Sequence, residues 1–303
     1  MEGRMADVST DVITLRTNLA DYPQTLALKD GRVKSDIVQL DFQGPEQAHN
    51  GFKAMLREDA FDAGELAIVT YLQAKAYGKP YIALPAPISG RFQHHCAGFN
   101  REFGHLDPKD IEGKRVGVRT YAQTTGLWIR GILRHEYGVD LDKVTWCTVG
   151  DGHLAEYSDP ANCERLPKGS DIGQMMLDGD LAATLQGIDL PKDARVERLV
   201  PDPHAAAKDW YAREGVVPIN HLFVVHERLA RERPDVVREI FRMIQESREL
   251  TEGGLPDPFP PMGYQANRKG IQLAIDWAFD QKIIPRRLSM DELFDEVTAI
   301  LEP

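Results

Sequence analysis

The sequence predicts an α/β protein whose two lobes exchange strands at a hinge. Three observations carry this expectation. Short β-rich runs alternate with helical stretches along most of the chain. The texture changes after Asn100, where a new α/β unit begins at Leu106-Asp107-Pro108-Lys109-Asp110. Two extended segments, Phe92 to Phe99 and Pro218 to Val225, bound that unit as outward and return crossings. The expected division is a discontinuous lobe 1, residues 1–99 and 218–303, and a lobe 2, residues 100–217, with a ligand cleft between them. A chain of 303 residues is long enough to bury a core in each lobe.

Val12 to Thr17 reads as a strand ended by Asn18, and Ala20-Asp21-Tyr22-Pro23 leads into a short helix. Asp30-Gly31 marks a turn before a second strand, Ile37 to Phe42. Pro45 to Arg57 reads as a helix with Ala48, Phe52, Met55 and Leu56 on one side. Phe61-Asp62-Ala63 is a short strand, Glu65 falls at its end, and Ala67 to Tyr77 is helical. Tyr81 to Leu84 is a strand that Pro85-Ala86-Pro87 is expected to break before the chain resumes extended. In the middle unit the strands are Arg115 to Val118, Val144 to Val149 and Ala182 to Leu185. Helices lie between them, including one from about Gly126 to His135 and another from Asp171 to Leu177. His153 to Lys168 is a polar, proline-bearing loop, expected to be mobile. After the return crossing the chain is helical: Pro234 opens a helix with Val236, Val237, Ile240, Phe241 and Ile244 at helical spacing. Thr251 to Tyr264 is a proline-rich loop, and two more helices finish the chain.

Composition excludes several classes. The chain is 42% hydrophobic and 27% charged, as globular proteins are, and carries a formal net charge of −11. That charge argues against nucleic acid and anionic membrane as partners, both of which need a basic surface. A few arginines in a cleft can still reverse the field for a small anion. The N-terminus lacks the apolar core of about 7–15 residues that a secretory signal carries. No apolar run approaches the ~20 residues of a membrane span. Cys96, Cys147 and Cys163 have neither even count nor metal-like spacing, which points to reduced thiols and a cytoplasmic location. Nothing in the sequence decides for or against a homo-oligomer.

Gly113 to Asp140 carries the chemistry most plainly. A strand, Arg115 to Val118, runs into a polar turn, Arg119 to Thr125, and then a helix. Backbone N–H groups and hydroxyls at a helix N-terminus hold a carboxylate or phosphate well. No G-x-x-x-x-G-K-[ST] occurs, so this is not a phosphate loop. Ligands in open α/β sheets bind beyond the carboxyl ends of strands, which gathers Asn18, Glu65, Arg119 to Thr125 and His221 near one cleft. Thr124 and Thr125 are the expected direct contacts, either to a ligand or to the helix as caps. Arg91, Arg119 and Arg130 compete for an anionic ligand, since a guanidinium fork pairs with a carboxylate through two bonds. Tyr121 and Trp128 are placed to stack on an aromatic ring, although helical spacing makes Trp128 more a core residue. Arg16, Tyr71 and Gln123 complete the candidate binding set.

Five segments, in this order along the chain, resemble the 4,5-dihydroxyphthalate decarboxylase family. They are FDAGELAIVTYL (61–72), RFQHHCAGFN (91–100), GKRVGVRTYAQTTGLWIRGILRHEYGV (113–139), PINHLFVV (218–225) and DWAFDQKIIPRRLSMDELF (276–294). The resemblance implies the type II periplasmic-binding-protein-like fold with two hinge crossings. It also implies an aromatic-acid decarboxylase that works without an organic cofactor. The family tends to carry Pro-Glu before the turn tyrosine, where this chain has Arg119-Thr120. The added positive charge points to a different or more anionic carboxylate.

Such a reaction protonates the ring carbon that bears the departing carboxylate, while a phenol oxygen para to it donates electron density. His94, matched to the family's Arg-Phe-x-His pattern, and His221, in the second crossing, are the candidate proton donors. Glu65 is the candidate to accept the phenol proton or to orient a histidine. In a strand, His94 and His95 would point to opposite faces, so no metal site is expected. The same fold also serves transport receptors and other enzymes. A carboxylate-binding protein or sensor, and an enzyme doing another reaction such as dehydration on a cyclic carboxylate, are the competing expectations.

Overall fold

The computed structural model describes residues 12–303. The first eleven residues, which open the expected lobe 1 and carry much of the expectation about a signal sequence, lie outside the described residues.

The chain builds two sheets and returns once to the first. Strands β1 (Ile13–Asn18), β2 (Val38–Phe42), β3 (Ala63–Ala67) and β4 (Tyr81–Gly90) belong to the first sheet. Strands β5 (Ala97–Asn100), β6 (Arg115–Val118), β7 (Thr145–Thr148), β8 (Cys163–Arg165), β9 (Ala183–Leu185) and β10 (Val196–Arg198) form the second. The return strand β11 (Ile219–His226) inserts into the first sheet, whose order is β2-β1-β3-β11-β4; the second runs β10-β5-β9-β6-β7-β8. β1 pairs in parallel with β2 and β3, whereas β11 is antiparallel to both neighbours. In the second sheet β6 is parallel to β7 and β9, and β5 is antiparallel to β9 and β10. This is the two-lobed type II periplasmic-binding-protein-like architecture, with both crossings in place. The chain is already in the second sheet at Ala97, so residue 99 falls inside β5 rather than between sheets.

One continuous core joins the two sheets. The 68–76 helix, the 124–137 helix and the 264–280 helix pack together, and their apolar faces bury Ile68, Leu72, Trp128, Ile132, Ile271 and Ile275. Trp277 lies over Gly131, where a side chain would overlap its indole ring, and meets Trp128 edge-on at 5.5 Å. A second core, on the other face of the first sheet, is closed by the 234–249 helix through the expected stripe Val236, Val237, Ile240, Phe241 and Ile244. A small third core lies under the 172–177 helix.

Four local expectations are corrected. β4 runs straight through Pro85 and Pro87, because it is an edge strand and its pairing with β11 already shifts register there. The Pro85 carbonyl is used instead by the N–H of Gly263, at 2.9 Å. Glu65 lies in the middle of β3 and is fully buried, rather than at a strand end. The 45–57 stretch is helical only from Ala48, as a 3₁₀ turn followed by Phe52–Glu58. His94–Cys96 is a 3₁₀ turn, not extended, so the alternation argument for His94 and His95 does not hold.

The crossings are tied to one another. The N–H of Arg91 donates to the Pro218 carbonyl at 3.0 Å. Gln93 Nε2 donates to the Arg91 carbonyl and to Asn220 Oδ1, both at 3.0 Å. Trp128 Nε1 donates to the Ile219 carbonyl at 2.9 Å. No helix among the described residues is long and apolar enough to cross a membrane.

Candidate active site

A cavity of 640 Å³ lies between the sheets. It opens beyond the carboxyl ends of β3, β4, β6, β7 and β9, where open α/β sheets place ligands. β11 enters from the opposite direction and contributes two consecutive residues, Asn220 and His221, to the same wall. A regular strand would turn neighbours to opposite faces. The register shifts on either side of His221 are what aim both into the cleft.

His221 and Glu65 form the best-defined chemical unit. β3 and β11 are paired, with His221 opposite Ala67, so the glutamate reaches across to the imidazole. Glu65 Oε2 is hydrogen-bonded to His221 Nδ1. Its Oε1 accepts from the Ala20 N–H at 2.8 Å, and Tyr22 donates its phenol to Oε2 at 3.2 Å. A buried carboxylate beside Nδ1 requires Nδ1 to carry the proton, which leaves Nε2 free as an acceptor toward the cleft. Burial, with Glu65 next in weight, pushes the Tyr22 phenol well above its usual range.

The turn after β6 brings cationic and polar side chains to the cleft. Arg119, Gln123, Thr124 and Thr125 line the cleft, as does Arg91 at the end of β4. The 68–76 and 124–137 helices both start at this wall, and neither N-terminus is capped by its own N-cap side chain. Thr124 Oγ1 joins the two starts by accepting from the Val69 N–H at 3.5 Å. Uncapped N–H groups of two helices facing one cavity favour negative charge there. Arg91 Nε, Gln123 Oε1 and Gln186 Oε1 are buried with no hydrogen-bond partner among the described residues, so the cleft holds polar groups these residues do not satisfy. Among the described residues neither Arg91 nor Arg119 has a carboxylate within ion-pair distance, unlike Arg16, Arg115 or Arg242.

Two histidines outside the sequence-derived candidates, His49 and His153, also line the cleft. Burial, followed by the charges of Lys53, Arg119, His49 and His221, holds His153 down at about 4. Burial and the neighbouring Arg119 lower His49 as well. His153 Nδ1 lies 2.8 Å from Thr70 Oγ1, and Phe52 packs edge-on between His153 (5.3 Å) and His221 (5.6 Å). Tyr22, Thr70, Asp189 and Phe259 complete the walls.

Six candidates lie elsewhere. His94 is 1% exposed, faces a separate cavity beside Asp209 and Arg213, and has no partner for either ring nitrogen among the described residues. Burial against Trp210 and Phe92, followed by the charges of His95 and Arg213, drives it down to about 4. Arg130 is fully buried: its Nε donates to Gln281 Oε1 at 2.9 Å and its Nη2 to the Tyr121 carbonyl at 2.7 Å. Tyr121 stacks beneath that guanidinium at 3.9 Å and donates its phenol to the Gln281 carbonyl, so it faces the core. Trp128 is spent on the crossing, and Tyr71 is buried with its phenol donating to the Leu293 carbonyl. Arg16 is paired with Asp62 at 2.9 Å on the surface. Among the described residues, no three His, Cys, Asp or Glu side chains are grouped so as to hold a metal ion.

No protein-family model matches the chain. Among solved structures it is similar to the periplasmic aliphatic sulphonate binding protein SsuA from Escherichia coli. The TM-score is 0.61 at 12% identity, covering 93% of this chain and 97% of that one. That likeness speaks to the fold. In sequence it is 29% identical over 266 residues to a 4,5-dihydroxyphthalate decarboxylase of Comamonas testosteroni, covering 81% of this chain and 78% of the relative. It is 31% identical over 214 residues to the enzyme of that name from Pseudomonas putida, covering 66% of this chain and 81% of the relative. With a relative above 30% identity spanned over four-fifths of its length, the chain belongs to the 4,5-dihydroxyphthalate decarboxylase family.

Proposed function

We propose that this protein is a carboxy-lyase that removes CO2 from a hydroxylated aromatic carboxylate, with 4,5-dihydroxyphthalate, giving protocatechuate, as the first substrate to test. The observation that carries this is the Glu65–His221 pair facing a cleft with two arginines that lack carboxylate partners among the described residues. Arg91 and Arg119, with the helix N-termini at Thr124 and Thr125, hold the substrate carboxylates. Nε2 of His221 takes the proton of the phenol para to the departing carboxylate, and Glu65 stabilises the resulting imidazolium. The phenolate oxygen pushes electron density into the ring, and the carbon bearing the carboxylate accepts a proton. The bond to the carboxylate then breaks, CO2 leaves, and its electron pair restores the aromatic ring. His221 returns its proton to the phenolate, so one proton is consumed overall. The substrate's own phenol supplies the push, and in this proposal no organic cofactor or metal takes part. The two lobes, which the chain crosses between just before β5 and again before β11, close on the ligand.

The test is CO2 release by purified, EDTA-treated protein supplied with 4,5-dihydroxyphthalate and a panel of hydroxylated benzoates. Turnover abolished in His221→Ala supports the proposal. A ligand that raises the melting temperature without any CO2 release overturns it and favours a binding function.

A further inference from the structure

We infer that His153, presented by the loop after β7, is the acid that protonates the ring carbon, with Thr70 as its positioning residue. This rests on the decarboxylase reading and names a group that reading leaves unassigned. The reaction needs one base at the phenol and one acid at the ring carbon on the same bound ring. The cleft holds two imidazoles on either side of Phe52, each anchored through Nδ1: His221 by Glu65 and His153 by Thr70. Each anchor leaves Nε2 for the cleft. The anchors differ in charge, and that difference assigns the roles. A carboxylate favours a histidine that gains a proton; a hydroxyl gives no such support, so a histidine it holds surrenders a proton readily.

The groups facing His153 are Lys53, Arg119, His49 and His221, and they, with burial, keep it neutral in the empty cleft. A dianionic ring between the arginines offsets those charges and lets His153 enter the complex as imidazolium, Nδ1–H donating to Thr70 Oγ1. Its Nε2 proton passes to the ring carbon as the carboxylate bond breaks. His153 is left neutral, still hydrogen-bonded to Thr70, and takes up its next proton from solvent when the next dianionic substrate binds.

The loop is built for placement. Arg57, on the Phe52–Glu58 helix of the first sheet, donates Nε to the His153 carbonyl at 2.7 Å and Nη2 to the Gly152 carbonyl at 3.2 Å. Lys79 pairs with Glu156 at 2.7 Å, and Leu154 is buried in the shared core. The loop after β7 is thus latched to the first sheet's side of the molecule at three points, beginning at the histidine itself.

The decisive experiment measures kcat, KM and the pH profile of CO2 release from 4,5-dihydroxyphthalate for wild type, His153→Gln, Thr70→Val and Thr70→Ser, with melting temperatures to establish folding. His153→Gln keeps a donor but cannot carry a proton, so kcat is expected to fall by about 100-fold or more with KM little changed. Thr70→Val is expected to lose about tenfold in kcat, and Thr70→Ser to restore it. A second readout needs no turnover: the ¹⁵N shifts of His153 on adding phthalate, which lacks the phenol, are expected to show imidazolium at neutral pH. A folded His153→Gln protein with wild-type kcat, or one that loses only KM, overturns the assignment and leaves the decarboxylase standing. A wild type that releases no CO2 overturns both.

Discussion

Replacing Glu65 by Gln tests the dyad at its buried end. The carboxylate has three donors around it: the Ala20 N–H, the Tyr22 phenol and His221 Nδ1–H. An amide of the same size can accept at only one end. If its oxygen faces the Ala20 N–H, its NH2 meets His221 and donates to Nδ1. That flips the tautomer, placing a proton on Nε2 and removing the base from the cleft. If its oxygen faces His221, the NH2 confronts the Ala20 N–H, and a buried donor is left unsatisfied at a cost of about 1–3 kcal/mol. The working tautomer is therefore depopulated by about 5–150-fold. Loss of the charge that steadies the imidazolium adds about another tenfold, for a fall in kcat of about 10²–10³ with KM nearly unchanged. Initial rates of CO2 release from 4,5-dihydroxyphthalate measure this, with a melting curve to show that the variant folds. A folded Glu65→Gln protein with kcat within threefold of wild type would refute the dyad.

Arg91→Ala and Arg119→Ala are each expected to raise KM by about 10–100-fold, the worth of one charge-assisted pair to a carboxylate; steady-state kinetics with one- and two-carboxylate substrates assign the subsites. His94→Leu is expected to keep turnover, since that side chain faces another cavity. Because burial lowers native His94 from 6.5 to about 4, the unfolded chain binds a proton first as pH falls. Stability should therefore drop between pH 6.5 and about 4, and the variant should recover about 1–3 kcal/mol of that loss in melts compared at pH 7.5 and 5. Gly131→Ala is expected to destabilise the protein by about 1–3 kcal/mol, because the new methyl must displace the Trp277 ring between two packed helices; denaturant titration checks it.

What could be read in advance was local. The strand at Arg115–Val118, the polar turn and the helix beyond it follow from periodicity and turn chemistry within thirty residues, and so does the presence of Arg119, Gln123, Thr124 and Thr125 at the cleft wall. The errors came from contacts distant in sequence. Pro85 and Pro87 break a strand that needs their N–H groups, but β4 is an edge strand, and only the pairing with β11 reveals that. Arg130 reads as a helix-surface cation until Gln281, 151 residues later, and the Tyr121 ring enclose it. His94 carried the family pattern yet sits in a tight turn aimed away from the cleft. His153 was overlooked because nothing periodic surrounds it. Its partner Thr70 is 83 residues earlier. The rule that gathered the other site residues, position just past the carboxyl end of a parallel strand, also applies to the loop after β7 and would have found it.

The bonds between the two crossings bear on the order of events. Arg91, Asn220 and His221 all lie where the chain passes from one sheet to the other, and Gln93 rivets those passages together. Any turning of one sheet against the other pivots about this seam, and points on a pivot travel least. On the proposed function, the base and one carboxylate-holding arginine therefore move least, whereas Arg119, just beyond β6, moves with the second sheet. A ligand can dock against the fixed corner in the open molecule, before the far side arrives. On that reading, recognition at the seam is expected to precede the assembly of the full set of reacting groups, and a molecule that fails to span the gap to leave before any bond is strained.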